Sequence, residues 1–501
     1  MAQHSKMTLP TIGISLIAVI SAVSGLNMAM PNIAVDLHAT QTQLTWIVDI
    51  YTVFFSGLLL LAGAIGDKYG RQRILLAGLT IFGLAATLGI FSHSPKELII
   101  VRAIMGIGAA GIMPTTLSVI TTSFPEKERA QAVSVWVGIT IGGAVLGLFA
   151  TAFLLRYYSW SSFFTMNAIL SLIGFLMTLR WVRDSRDAKN PLDWTGGVLS
   201  ILGVSGLVYG IIEGADKGYF KNDTVAAFII GACALIGFIL WELKTSFPLL
   251  DPRFFKRRGF STGSISVTLQ FFAQFGFIFV AMQYLQYVIG LSAWQSAIRL
   301  LPMPFFVIPA SRGAQKLSNK FSQKSLGALG LLVFAAGMFI FANLKLEFNY
   351  AYFVAGLACF GFGIAFAAQP ATTAITGSLP MEKQGVASAV NDTSRELGSA
   401  FGIAIIGAAL NSSYKNSMQP HLVHLPVQFA KTIESGVAFT QFKAPQGLES
   451  QWSTLVAAGK VAFMRGVHSS LLIAAGSAIL GAVIVGVFAP TRKEELARLN
   501  P

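Results

Sequence analysis

Asp49, Arg102, Asp392, Arg395 and Glu396 each fall inside a stretch of the chain that is otherwise almost wholly apolar. A carboxylate or guanidinium is costly to bury in such a place, so each is a candidate for carrying a proton or holding a cation. Asp49 stands about one turn into LTWIVDIY (44–51), and Arg102 opens RAIMGIGAAGIMPTTLSVI (102–120) at a similar depth. The two are candidates for an ion pair that protonation of Asp49 would break, the alternative being a static structural pair. Asp392 and Glu396 are four residues apart and share a helix face, with Arg395 placed to neutralise part of their charge. Facing a cavity, such an acidic patch suits a cationic substrate. Gln270 and Gln274, with Gln283, interrupt the aromatic run LQFFAQFGFIFVAMQY (269–284) and are candidates for cavity lining. The rings of such a run bind organic cations as well as apolar surface. Glu213, near the end of its apolar run, is expected to reach external water.

The elements that must carry these groups are membrane helices. Hydrophobic residues make up 54% of the 501-residue chain and charged residues 12%, with a mean hydropathy of +0.65. A helix needs roughly 20 apolar residues to span hydrocarbon. Runs of about that length predict fourteen spans, near 12–31, 44–65, 74–92, 97–121, 131–155, 160–180, 195–213, 223–242, 262–289, 293–311, 325–343, 351–372, 386–410 and 466–489. The fold class is an all-α polytopic membrane protein, with the first span retained after the short polar start MAQHSK. Most of the 36 Lys and Arg fall on one side if both termini are cytoplasmic, which makes the net charge of +14 a matter of topology. The basic residues are scattered over loops separated by spans, which argues against a nucleic-acid surface. A long external loop over 411–465 contains PVQFAKTIESGVAFTQF, a candidate amphipathic helix.

Other chemistries find no footing. The chain has two cysteines, both inside spans, and its six histidines lack metal-ligand spacing, so no disulfide framework, metal site or cofactor is expected. GIGAAG (106–111) matches the dinucleotide pattern formally but lies in a span, where small residues serve helix packing. No phosphate loop of the GxxxxGK[ST] type is present, so ATP-driven pumping and enzymatic chemistry are unsupported.

Between two apolar runs stands GAIGDKYGRQR (63–73), whose glycines permit a tight turn and whose charges cluster at helix ends. It resembles the signature loop of the major facilitator superfamily, with Gly63, Asp67, Gly70, Arg71 and Arg73 in register. That resemblance implies a cytoplasmic latch between two halves of a transporter, remade during alternating access. Fourteen spans, together with WIVDIY, SFPLLDPRFFKRRGF (246–260) and GVASAVNDTSRELGSAFGIAIIGAAL (385–410), resemble the drug:proton antiporters of the quaternary-ammonium and multidrug efflux type. The resemblance implies an N-terminal six-helix bundle (1–186), two inserted helices with a linker (187–260) and a C-terminal six-helix bundle (261–501). It also implies a monomer in the plasma or inner membrane that exports organic, cationic or amphipathic, compounds in exchange for protons through Asp49, Arg102 and Asp392.

The chain departs from that pattern at four places. Ala22 stands where an acidic residue is usual, Met105 where glutamine is usual, and Leu148 where proline is usual after Gly147. GAQKLSNKFSQK (313–324) resembles an altered second signature loop, with Asn319 for aspartate and Ser322 for glycine. A dedicated exporter of one metabolite or lipid-like compound, an uncoupled facilitator, and a non-transporting sensor or scaffold stand as alternatives.

Overall fold

The computed structural model describes residues 2–124, 126–186, 191–318, 320–379, 384–423 and 425–494. Asn319 of the altered signature loop lies outside the described residues. The first group of helices is α1 (Ala2–Ser24), α2 (Leu26–Asp36), α3 (Gln41–Tyr69), α4 (Arg71–Ile90), α5 (Pro95–Ser123), α6 (Glu126–Tyr157) and α7 (Ser161–Trp181). A pair follows, α8 (Trp194–Lys217) and α9 (Asn222–Glu242). The rest are α10 (Arg258–Gln283), α11 (Ala293–Leu300), α12 (Pro302–Ser318), α13 (Gln323–Ala342), α14 (Tyr350–Thr376), α15 (Gln384–Leu422), α16 (Val427–Glu434) and α17 (Glu449–Phe488).

In hydrocarbon every backbone polar group must be satisfied within its own segment, so an apolar run of this length becomes a helix. Polar residues close the exposed ends. Thr40 accepts from the Gln43 N–H at 3.2 Å while Gln43 accepts from the Thr40 N–H at 2.9 Å, and Ser292 and Gln295 repeat the arrangement at α11.

Thirteen helical stretches among the described residues are long and apolar enough to cross a membrane. The span expected over 293–311 is instead broken into α11 and α12, because Pro302 and Pro304 lack the N–H donors that a continuous helix would need there. The long loop expected over 411–465 is also corrected. α15 continues to Leu422 and α17 starts at Glu449, so the connection is confined to 423–448. Within it α16 forms over the amphipathic stretch, followed by a 3-10 turn at Val437–Gln441. Tyr414 on α15 donates to the Ile433 carbonyl at 2.8 Å and Trp452 on α17 packs on Phe439, so the connection folds back on the helices.

α1, α3, α4, α5, α6 and α7 pack among themselves, as do α10, α12, α13, α14, α15 and α17. The two groups meet along α3 and α15, and α8 packs against both of those helices with α9 behind it. α10 and α15 approach backbone to backbone: a Cβ at Gly398 would lie 2.3 Å from the Thr268 carbonyl oxygen. Small residues are the means by which membrane helices come this close.

Both groups also touch at the end of the bundle opposite the α3–α4 turn. There Asn411 donates to Thr42 at 3.1 Å, the Gln41 N–H to the Ser435 carbonyl at 2.8 Å, and Gln286 to the Met28 carbonyl at 3.3 Å. Trp294 meets the rings of Phe149 and Phe153 at the same end. The bundle is therefore closed at this far end.

Candidate functional site

Arg102, on α5, is fully buried and reaches between α1 and α3. Its Nε donates to the Ile47 carbonyl at 3.1 Å and its NH1 to the Ala22 carbonyl at 3.1 Å, while its guanidinium lies 4.1 Å from the centre of the Tyr51 ring. Tyr51 in turn donates to the Val19 carbonyl at 3.1 Å. The charge is thus dispersed over two helix carbonyls and an aromatic face. The place where an acid would be usual, Ala22, supplies a backbone oxygen.

The expected pair of Asp49 with Arg102 is not formed. Asp49 is fully buried, yet among the described residues neither of its carboxylate oxygens has a hydrogen-bond partner. The reason is helical register: at about 100° per residue, Asp49 and Tyr51 point roughly 200° apart on α3. Tyr51 faces Arg102, whereas Asp49 shares its side of α3 with Trp46, Val53 and Gly57, which pack on α8. Thr42 and Thr45, on the neighbouring strip, touch Asn411 and Gly407 of α15. Asp49 consequently lies where α3, α8 and α15 converge.

On α15, Arg395 NH1 stands 3.8 Å from Asp392 Oδ1, and the Arg395 guanidinium lies 5.4 Å from the Phe271 ring centre on α10. Asp392 is 6% exposed, so this is a cluster set within the bundle and not a solvated surface. Glu396 lies within electrostatic range of Asp392 and Arg395 and also of Tyr51, across the boundary between the helix groups. Glu396 is therefore the member of the cluster that reaches toward the Arg102–Tyr51 pair. Sequence reasoning missed Tyr51; its two-residue offset from Asp49 and four-residue offset from Ile47 are the signal that could have found it.

Gln270 is fully enclosed and both of its amide atoms lack a partner, as does the Gln274 oxygen. The two share the side of α10 that carries Gly263, packed on α14, and Phe277, packed on Phe341 and Phe360. In this conformation Gln270 is a walled-in position and not part of an open cavity. Glu213 does not simply reach water: it accepts from the Trp46 indole at 2.7 Å, binds Lys217 at 2.9 Å, and is 13% exposed.

At the α3–α4 turn Asp67 and Arg71 form an ion pair of 2.7 Å, and Arg71 also donates to Ser185 at 3.3 Å. Arg73 pairs with Asp184 at 3.2 Å, and Asp184 accepts from the Gln72 N–H at 3.3 Å. Gly70 adopts φ +119° and a Cβ there would lie 2.5 Å from Asp184 Oδ1, so both backbone and space require glycine. Gly63 lies on the α3 face toward Pro114 of α5. Among the described residues these bonds tie the turn to the segment following α7, not to the second helix group. The expected bridge between halves is open in this conformation.

Comparisons with known proteins agree with this architecture. The Major Facilitator Superfamily profile matches residues 12–403. The methyl viologen resistance protein SmvA of Salmonella typhimurium is 31% identical over 489 residues, covering 95% of this chain and 96% of its own. The multidrug efflux pump LfrA of Mycolicibacterium smegmatis is 29% identical, covering 94% and 93%. Among solved structures, a bacterial homologue of the human lysosomal transporter Spinster, inward-facing and unoccupied, aligns with a TM-score of 0.67 at 16% identity, covering 98% of this chain and 99% of that one. A D-xylose–proton symporter aligns with a TM-score of 0.59 at 15% identity. Profile, relatives and helical architecture agree over nearly the whole length: the chain is a multi-pass membrane protein that belongs to the Major Facilitator Superfamily.

Proposed function

We propose that this transporter exports organic cations and cationic amphipathic compounds by alternating access, in exchange for protons. The carrying observation is the α15 cluster. Asp392 and Glu396 sit inside the bundle beside a single arginine and the Phe271 ring, with Glu396 in range of Tyr51, so their surplus negative charge and aromatic walls suit a flat or apolar cation. Relatives named for methyl viologen resistance and multidrug efflux support the same class of cargo.

Asp49 serves as the proton carrier in this reading, because an enclosed carboxyl without a partner is satisfied by a proton. Arg102 holds α1, α3 and α5 in register, and Asp392 takes the substrate or the proton in turn. Gln270 and Gln274 join the cavity wall when α10 and α14 shift. The protein works as a monomer in the plasma or inner membrane with both termini in the cytoplasm, so the conformation closed at the far end is open to the cytoplasm. Residues 1–186 and 261–501 act as the two rocking bundles, with α8 and α9 as the inserted pair, and the Asp67–Arg71–Arg73 turn latches the bundles when the cytoplasmic side closes.

Efflux of a fluorescent organic cation from proteoliposomes under an imposed pH gradient tests this. Asp392→Asn and Glu396→Gln should each lower cation transport by roughly tenfold, about 1.4 kcal/mol, and spare any neutral substrate more. Asp49→Asn should abolish the response to the gradient. Cation transport that is indifferent to both α15 substitutions sinks the assignment of cargo, and transport without gradient dependence sinks the exchange.

A further inference from the structure

At the end of the bundle that carries the α3–α4 turn, the start of α8 meets the finish of α9 through two carboxyl groups. Asp193 caps α8: its Oδ1 accepts from the Gly196 N–H at 2.8 Å and from the Trp241 indole at 2.7 Å. Glu242, in the last turn of α9, accepts through Oε2 from the Leu250 N–H at 3.3 Å. The remaining oxygens, Asp193 Oδ2 and Glu242 Oε1, are buried and have no hydrogen-bond partner among the described residues. The side chains themselves are enclosed, at 7% and 1% exposure. Both orphaned oxygens lie 2.6 Å from the point a Cβ on Gly196 would occupy, so both border the small space that this glycine leaves open. Among the described residues no lysine, arginine or histidine pairs with either group. Asp251 in the following linker is the other charged group in range of Glu242, and it too is acidic.

Two neighbouring enclosed carboxylates without a cation cannot both stay ionised, and one proton between them would satisfy both orphaned oxygens at once. We propose that Asp193 and Glu242 form a proton-binding site, with Glu242 Oε1–H donating to Asp193 Oδ2. The placement of the proton follows from the helices. Asp193 stands at the positive end of the α8 dipole and its Oδ1 already accepts from two donors, so Oδ2 is the oxygen left to accept a further hydrogen bond. Glu242 stands at the opposite, negative end of the α9 dipole, and its Oε1 is the oxygen on that side without a donor among the described residues.

The site is distinct from the α15 cluster and from Asp49, and it is wired to the second helix group. Glu242 holds Leu250, and Arg253 donates to the Leu243 carbonyl at 2.9 Å. Arg257 at the end of the same linker donates to the Ser378 carbonyl beyond α14. Loss of the proton sets two carboxylates against each other beside a cavity of about 420 Å³ lined by Asp193, Trp241 and Phe247. The ends of α8 and α9 then part and slacken the linker, so transport answers to pH on that side independently of the proton exchanged for substrate.

Infrared difference spectroscopy of the full chain in nanodiscs, between mildly acidic and alkaline buffer, tests the site directly. The wild type should show a protonated-carboxyl C=O band that fades on alkalinisation, and Glu242→Gln should lack that component. Asp49→Asn and Asp392→Asn should keep it. The native site binds a proton that the separated carboxyls release at the same pH, so thermal stability should fall as pH rises in the wild type. That fall should be blunted in Glu242→Gln, whose amide still donates to Asp193, and in Asp193→Asn. An undiminished band in Glu242→Gln overturns the proposal. So does a Glu242-dependent rise in melting temperature on adding Mg2+ or Ca2+, which would make the pair a metal site.

Discussion

Among the described residues Arg102 has no carboxylate partner, and its surroundings explain how the charge is tolerated. Two backbone carbonyls from different helices and the Tyr51 ring form a fitted socket that only a planar, multiply donating group can fill. A lysine keeps the charge but cannot reach Ile47 and Ala22 at once. Arg102→Lys should therefore cost about 1.5–3 kcal/mol for the lost charge-assisted bond, seen as a lower unfolding midpoint in detergent. Transport should fall with it, and an unchanged midpoint would show the socket to be dispensable. That Asp49 and Arg102 would be enclosed was legible from their place in apolar runs. Their pairing was not, because depth in the membrane was compared and direction around α3 was not. Asp49 and Arg102 share a depth yet lie on opposite faces of the intervening helix.

At the scale of elements, the α3–α4 turn shows how a short motif fixes the ends of two long helices. Gly70 holds φ +119° with the Asp184 carboxylate pressed against its α-carbon, and Asp184 also receives Arg73 and the Gln72 N–H. Gly70→Ala should both strain the backbone, by about 1–3 kcal/mol, and push Asp184 away from Arg73. The expected result is a protein that still inserts but transports poorly, checked by comparing surface expression with efflux rate. Full efflux would mean that the turn tolerates rearrangement. Hydropathy made most spans visible, since it measures the match to hydrocarbon. It could not show that α15 and α17 project beyond the membrane, because NSSYKNSMQPHL and ESQWSTLVAAGK are polar enough to resemble a loop while still forming helix. The break between α11 and α12 was readable from Pro302 and Pro304, but a window average conceals it.

For the whole molecule, the contacts between helix groups form a seam that any second state must undo at the far end. Asn411 on Thr42, Ser435 on Gln41 and Gln286 on Met28 cross that seam, and α8 reinforces it by holding both sides, with Trp46 bound to Glu213 and Lys415 paired with Asp216. None of these is a large contribution singly, since hydrogen bonds contribute about 1 kcal/mol each, so the closed end can part when substrate or proton favours the other state. A covalent link across the seam should prevent it. With Cys233 and Cys359 replaced, Thr42→Cys and Asn411→Cys place thiols on two side chains that now touch across the seam, Asn411 Nδ2 lying 3.1 Å from Thr42 Oγ1. Oxidation should form the disulfide in this conformation and stop turnover, while a reductant restores it and leaves either single variant unaffected throughout. If the cross-link forms quantitatively and efflux continues, the far end does not open during transport, and the two-bundle rocking motion proposed for this chain is wrong.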